Sequence, residues 1–283
     1  MSTPTIVFFA VSLLAFLLAA GCALRGWRKS DPALYRIARR ATETSAVLLV
    51  ATIAARWAHI GRLPLTSSFD VINVFILMTA GIVIATQFTA PHKILSAFYL
   101  PPIAAIALLN VFLALRLMSE TPRDIESIFL LFHVGMVFLA YAFFFVASLT
   151  SIAYLVHVRQ LKVGSAATQT GRLPPLAQLD TLLYRLIATG YPLFVLTLIL
   201  GVCWALFGKD KDQLGARWWL SPKIIMSVFT VVLYAVSFHL RRLGVLRGPK
   251  LAYLIVFGFN AFFVVYLLLS LLGLSGYNFW GQA

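Results

Sequence analysis

The chain has 283 residues, of which 61% are hydrophobic and 11% charged, with a mean hydropathy of +0.93. An average soluble domain carries about 25% charge and keeps a polar skin, so this composition excludes a soluble enzyme, a disordered chain and a secreted disulfide scaffold. The formal charge of +14 comes from 23 Lys and Arg against 9 Asp and Glu. In so apolar a chain it marks loops held at an anionic membrane face, not nucleic-acid binding.

A membrane-spanning helix needs about 20 mostly apolar residues. In chain order the sequence predicts eight such spans, at 5–24, 43–60, 69–89, 94–115, 127–157, 182–207, 222–240 and 251–274. The expected fold is an all-α polytopic membrane protein, a bundle of about eight transmembrane helices in a single transmembrane domain (1–283). The connections are too short for a soluble domain, and 158–181 reads as a flexible connector. The first span has no positive charge before it, and its basic cluster Arg25, Arg28 and Lys29 follows the apolar run. That is the reverse of a secretory signal.

Orientation follows from where Lys and Arg fall. The connections after spans one, three, five and seven carry most of them, including Arg36, Arg39, Arg40, Arg159, Lys162, Arg241, Arg242, Arg247 and Lys250. This bias predicts both termini outside. Glu120, Asp124, Glu126, Asp210 and Asp212 then fall in outer connections.

Ionisable groups inside a membrane are costly and mark functional candidates. His133 lies about two turns inside the outer end of span five. It reads either as a histidine hydrogen-bonded across a helix interface or as an axial ligand to a metal or haem. His239 lies at the inner end of span seven, where a snorkelling interfacial role competes with ligation; His157, at the inner end of span five, reads the same way. Asp70 suits the first turn of span three, after the turn-forming Pro64 and the hydroxyl run Thr66-Ser67-Ser68. Arg56 precedes that turn. The connection between spans six and seven holds Arg217, Trp218, Trp219, Pro222 and Lys223. Single Trp residues are ordinary at a membrane edge. Several together form a stacking platform for a flat apolar ligand, and flanking Arg and Lys pair with carboxylates. A porphyrin has both features. There is no phosphate-binding glycine loop, no paired Cys motif and no paired His metal motif, and no hydroxyl nucleophile has an evident base. An enzyme acting by itself is therefore not expected.

From about residue 50 to the C-terminus these segments resemble the cytochrome c assembly family of haem-handling membrane proteins, the CcsA/ResC group with its HemX-like relatives. The extra N-terminal span 5–24 precedes that region. The family's R-W-x-x-x-G-H-F-P-L-S-N-L-Y-E-S is met by Arg56-Trp57 and by Gly61 to Val71, with Asp70 in the place of its acid. Its M-H-V-x-M and following Y-A are met by Phe132-His-Val-Gly-Met136 and Tyr141-Ala142. Leu179-Asp180, Tyr184-Arg185 and Gly190-Tyr-Pro192 follow the family's next pattern. Gly201-Val-Cys-Trp-Ala205 meets its G-x-x-W-A, and Phe238-His239 meets the histidine that ends the following span. The family's tryptophan-rich motif is kept only at Gly215, Trp218, Pro222 and Lys223, with Trp219 one place from a family Trp. Ser221 stands for its Asp, and Ser275 for its second outer histidine.

The resemblance implies a multi-pass component of cytochrome c maturation in a bacterial inner membrane. It would bind non-covalent b-type haem at the outer face and present it to apocytochrome c, with lipid and a partner membrane subunit around it. His133 would be the outer ligand, Trp218 and Trp219 the platform, and Arg217, Lys223 or Arg56 the propionate partners. Asp70 would stand by that site, and His239 would belong to an inner transit site. The alternative is a HemX-like accessory or regulatory protein that no longer binds haem, favoured by Ser221 and Ser275. A small-molecule permease is less well supported, because no internal repeat or intramembrane charge network is visible.

Overall fold

A computed structural model describes residues 2–61, 63–65, 67–89, 93–116, 128–163, 173–207, 219 and 222–271, the side chains at 68, 88–89, 113–116, 128–131, 222–223 and 262–271 excepted. Among them the fold is all helical. Helices run in the order α1 Thr3–Lys29, α2 Pro32–Ile60, α3 Ser68–Thr89, α4 Ser96–Arg116, α5 Ile128–Lys162, α6 Leu176–Phe207, α7 Pro222–Arg242 and α8 Pro249–Leu271, with a 3₁₀ turn Lys93–Leu95 before α4. Each expected span lies on one of these helices, apart from 94–95, which lie in the 3₁₀ turn, and 127 and 272–274, which fall outside the described residues. Among the described residues six helices are long and apolar enough to cross a membrane. The chain is a multi-pass membrane protein.

Several helices run past the apolar stretch that predicts them. α2 begins at Pro32, well before the apolar run at 43. Its start is set by Asp31, whose side chain accepts from the Ala33 backbone N–H at 2.8 Å, and by Pro32 in the first turn, where no N–H is needed. Its end is set by Gly61 at φ +71°, which donates back to the Trp57 carbonyl at 2.9 Å. Pro101, Pro102 and Pro192 sit inside α4 and α6. Membrane helices tolerate such prolines where neighbouring groups satisfy the freed carbonyls.

The chain divides into two compact units, Met1–Glu126 with Val156–Leu179, and Ser127–Leu155 with Asp180–Ala283. In the first, α1 packs along α2, and α4 packs on α1 and α3. The buried face of α1 steps through Thr5, Phe9, Ser12, Phe16, Ala19, Ala23 and Gly26, alternating four and three residues. Tyr35, Ala38, Thr42, Ser45, Leu49 and Thr52 do the same on α2. This is the seam spacing of paired helices. The small residues let the backbones approach, and Ser12 and Ser45 each donate to the other's carbonyl, at 3.0 and 3.2 Å.

In the second unit, α5, α6, α7 and α8 meet through rings and glycines. Phe144 of α5 stacks flat on Tyr234 of α7, with centroids 3.5 Å apart, and meets Phe194 and Tyr141 edge-on, which also meet each other edge-on. Phe145 touches Phe259 of α8. Gly190 admits Phe143 and Phe144 to the α6 backbone, where a Cβ would come within 2.9 Å of both. Large apolar side chains such as Leu14, Val47, Phe112, Val232 and Phe257 are exposed, as lipid contact requires.

Candidate functional site

Four groups of side chains carry the chemistry. The first lies in the first unit, where α2 ends and α3 begins. Arg56 Nε stands 3.1 Å from Asp70 Oδ1, and Asp70 is only 3% exposed. Ser67 precedes α3 and caps it: its hydroxyl accepts from the Asp70 backbone N–H at 3.2 Å and donates to Asp70 Oδ2 at 2.6 Å. Ser67 thus acts as an N-cap, with a carboxylate at the third helical position held by the same hydroxyl. Asp70 therefore serves the first turn of α3, as the sequence suggests, and also holds Arg56. Behind it, the Asn110 amide donates to the Phe69 carbonyl at 3.2 Å and to Asn73 Oδ1 at 3.1 Å. Both amides are buried. The sequence reading passed over them, although a lone amide within an apolar span is itself a signal for an interhelical hydrogen bond.

The second group surrounds His133 on α5. Its imidazole lies against α6, hydrogen-bonded to the Thr197 backbone, as the interface reading expects, and over Gly201. A Cβ on Gly201 would stand 2.7 Å from His133 Cε1, 3.4 Å from Nδ1 and 3.5 Å from Nε2. The ring thus rests edge-on where α6 lacks a side chain. Nδ1 is enclosed and has no hydrogen-bond partner. A buried, unpaired imidazole nitrogen is an available ligand atom and a costly one to leave idle. Among the described residues no three His, Cys, Asp or Glu side chains converge on a metal ion. A porphyrin iron needs fewer protein ligands, because the macrocycle supplies four nitrogens.

The third group is the buried core of the second unit. The Tyr141 hydroxyl reaches Thr230 and Ser227 on α7. The Tyr234 hydroxyl is enclosed without a hydrogen-bond partner. The fourth lies at the other end of α6 and α7. His239 is exposed and sets its ring edge-on to Tyr191, with centroids 6.1 Å apart. Phe238 stacks between Tyr184 and Tyr191, at 6.0 and 5.5 Å. The Arg241 guanidinium lies over the Tyr184 ring at 5.4 Å and pairs with Asp180. That pair joins two helices and leaves Asp180 Oδ1 and Arg241 Nε enclosed and unpaired. Of these, the sequence offers only His239 as a candidate ligand; Asp180, Tyr184 and Tyr191 enter there as family-pattern positions and Arg241 as a basic residue, and their contacts come from the structure.

Of the remaining expectations, Trp219 is described and exposed. Arg217, Trp218, Ser221 and Ser275 lie outside the described residues, as does the side chain of Lys223, whose backbone is in the first turn of α7. His157 is buried against the Pro174 backbone, which fits a structural histidine better than a snorkelling one.

Comparison with known proteins agrees with these features. The chain is 26% identical to the cytochrome c biogenesis protein CcsA of Thermosynechococcus vestitus, over 94% of this chain and 92% of that one. It is 25% identical to the CcsA protein of Heterosigma akashiwo over 86% and 85% of the two chains, and 26% identical to that of Chlamydomonas reinhardtii over 83% and 66%. No solved structure matches. Residues 65–275, which include Asp70, His133, Asp180, Gly201 and His239, match the cytochrome C assembly protein family, and the chain belongs to that family.

Proposed function

We propose that this chain binds non-covalent b-type haem at the outer face of a bacterial inner membrane and presents it to apocytochrome c. The observation that carries the reading is the enclosed, unpaired Nδ1 of His133 in a chain of the cytochrome c assembly family. An imidazole that hydrogen-bonds the Thr197 backbone, rests over Gly201 and keeps Nδ1 without a partner suits a haem ligand. His133 would hold the iron. Trp218 and Trp219 would stack on the ring, and Arg217 and Lys223 would pair with the propionates. Arg56 could join them only by loosening its hold on Asp70. His239 would offer an imidazole at the inner end, with a partner membrane subunit supplying the opposite ligand. The bound group supplies the iron and the vinyl carbons to which cysteine thiols add. The residues named here hold and orient it and exclude water, so the chain's part is positioning.

The full chain, purified in detergent and titrated with hemin, tests this. The expected result is a Soret band that shifts on binding and that His133→Ala weakens at least tenfold in affinity. A His133→Ala protein with the wild-type spectrum and affinity overturns the reading. The second reading is a HemX-like accessory protein that binds a partner instead of haem. Ser221 and Ser275, standing where the family carries Asp and His, favour it. A protein that is colourless from haem-replete cells and indifferent to hemin selects that reading.

A further inference from the structure

Gly190, Gly201 and Gly258 stand so close to a neighbouring helix that a Cβ would meet a side chain within 3.0 Å. At Gly190 the obstacles are Phe143 and Phe144, and at Gly258 the obstacle is Leu233. Those two are packing contacts between hydrocarbon groups, of the kind that lets membrane helices approach. Gly201 differs. All three atoms nearest its missing Cβ belong to the His133 imidazole, and the two nitrogens straddle the site at nearly equal distances of 3.4 and 3.5 Å.

A methyl group at 2.7 Å from Cε1 cannot coexist with the ring where it stands. Moving the ring away disturbs its hydrogen bond with the Thr197 backbone. Thr197, one helical turn before Gly201, is fully buried, and its backbone contacts the imidazole from the same helix. Displacing the ring swings Nδ1 and Nε2 together, because imidazole is rigid. A ligand bond to iron depends on where that nitrogen points, and a shift of about 1 Å in a positioned group is enough to cost about a hundredfold in function.

We propose that Gly201 is a positioning residue for His133: it leaves the gap on α6 into which the imidazole edge settles, and so fixes the direction in which the one ligating ring nitrogen faces an iron porphyrin. The proposal rests on the reading of His133 as a haem ligand. It gives the glycine of the Gly201-Val-Cys-Trp-Ala205 segment a role in ligand geometry apart from helix packing.

The test is a double-mutant cycle on the full detergent-purified chain, with hemin as the probe and the Soret position and dissociation constant as readouts. Gly201→Ala is expected to weaken hemin binding at least tenfold and move the Soret band toward that of His133→Ala. In the His133→Ala background the same substitution is expected to add nothing, because the glycine acts through the ring. Gly190→Ala, an equally crowded site without a histidine, is expected to leave the Soret position unchanged. A similar loss from Gly190→Ala, or an additive loss in the His133→Ala background, makes the effect general loosening and overturns the proposal. An effect of His133→Ala with none from Gly201→Ala overturns the proposal and leaves the haem reading standing. No effect from His133→Ala overturns both. Where Gly201→Ala alone fails to insert, recovery of insertion in the His133→Ala pair supports the contact between glycine and ring, and failure to recover overturns it.

Discussion

Arg56 and Asp70, fourteen residues apart, close the turn between α2 and α3 with an ion pair of 3.1 Å. The carboxylate is almost wholly buried and is also held by the Ser67 cap, so three constraints converge on one side chain. Removing one partner of an enclosed pair leaves the other uncompensated, at a cost of about 3 kcal/mol. Removing the cap costs about 1 kcal/mol. Asp70→Ala is therefore expected to destabilise the detergent-solubilised protein clearly more than Ser67→Ala, and Arg56→Ala nearly as much as Asp70→Ala. Thermal unfolding of the three variants checks the order. If Arg56→Ala has no effect on stability yet lowers hemin affinity, Arg56 serves a ligand and not the turn.

Topology follows from charge. A reporter fused after residue 167 is expected to read the cytoplasm, and one after residue 282 the outside, because the basic connections after spans one, three, five and seven are retained on the inner face. Alkaline phosphatase and green fluorescent protein fusions report the two compartments in opposite senses. The same compartment at both positions overturns this topology.

The sequence made the helices legible because lipid demands long apolar runs, and each run found its helix. It understated α2 and α6 for the same reason. Pro32 to Thr42 carries three arginines, and Leu176 to Thr181 carries Asp180, so neither extension reads as membrane although both are helical. Candidate ligands were legible as rare imidazoles in apolar runs. Their surroundings were not. Spacing along one helix gives a face but no partner, so the Ser12–Ser45 exchange, the Asn73–Asn110 bond and the seat of His133 on Gly201 required the packed structure. The resemblance did mark Gly201 and Asp180, without saying what either touches.

One imidazole ligand in place of two, as proposed for His133, has a spectroscopic consequence. With Ser275 in place of a second histidine, bound hemin is expected to be high-spin, with His133 on one side of the iron. Ser275→His is expected to tighten binding and move the spectrum toward the low-spin form of bis-imidazole ligation. An unchanged spectrum in a folded, inserted variant places residue 275 away from the iron and shifts support to the accessory-protein reading.

The end of α6 and α7 that carries His239 offers the sharpest separation of structure from ligation. Asp180 and Arg241 tie the two helices together beside the Tyr184–Phe238–Tyr191 stack, and that stack carries the edge-on contact to His239. The side chains are 19% and 17% exposed, so the pair lies between a surface ion pair, worth about 0–1 kcal/mol, and a buried one. Asp180→Asn and Arg241→Gln are each expected to lower thermal stability, and a double-mutant cycle is expected to give a coupling of about 1–2 kcal/mol. Exchanging the charges, with Asp180→Arg and Arg241→Asp together, is expected to restore part of the loss. Cytochrome c maturation in cells is then the second readout. If maturation recovers with stability in the exchanged pair, the two residues act as a helix clamp that keeps His239 in register. If stability recovers and maturation does not, the positive charge at 241 is itself needed, and the pair belongs to the site it borders.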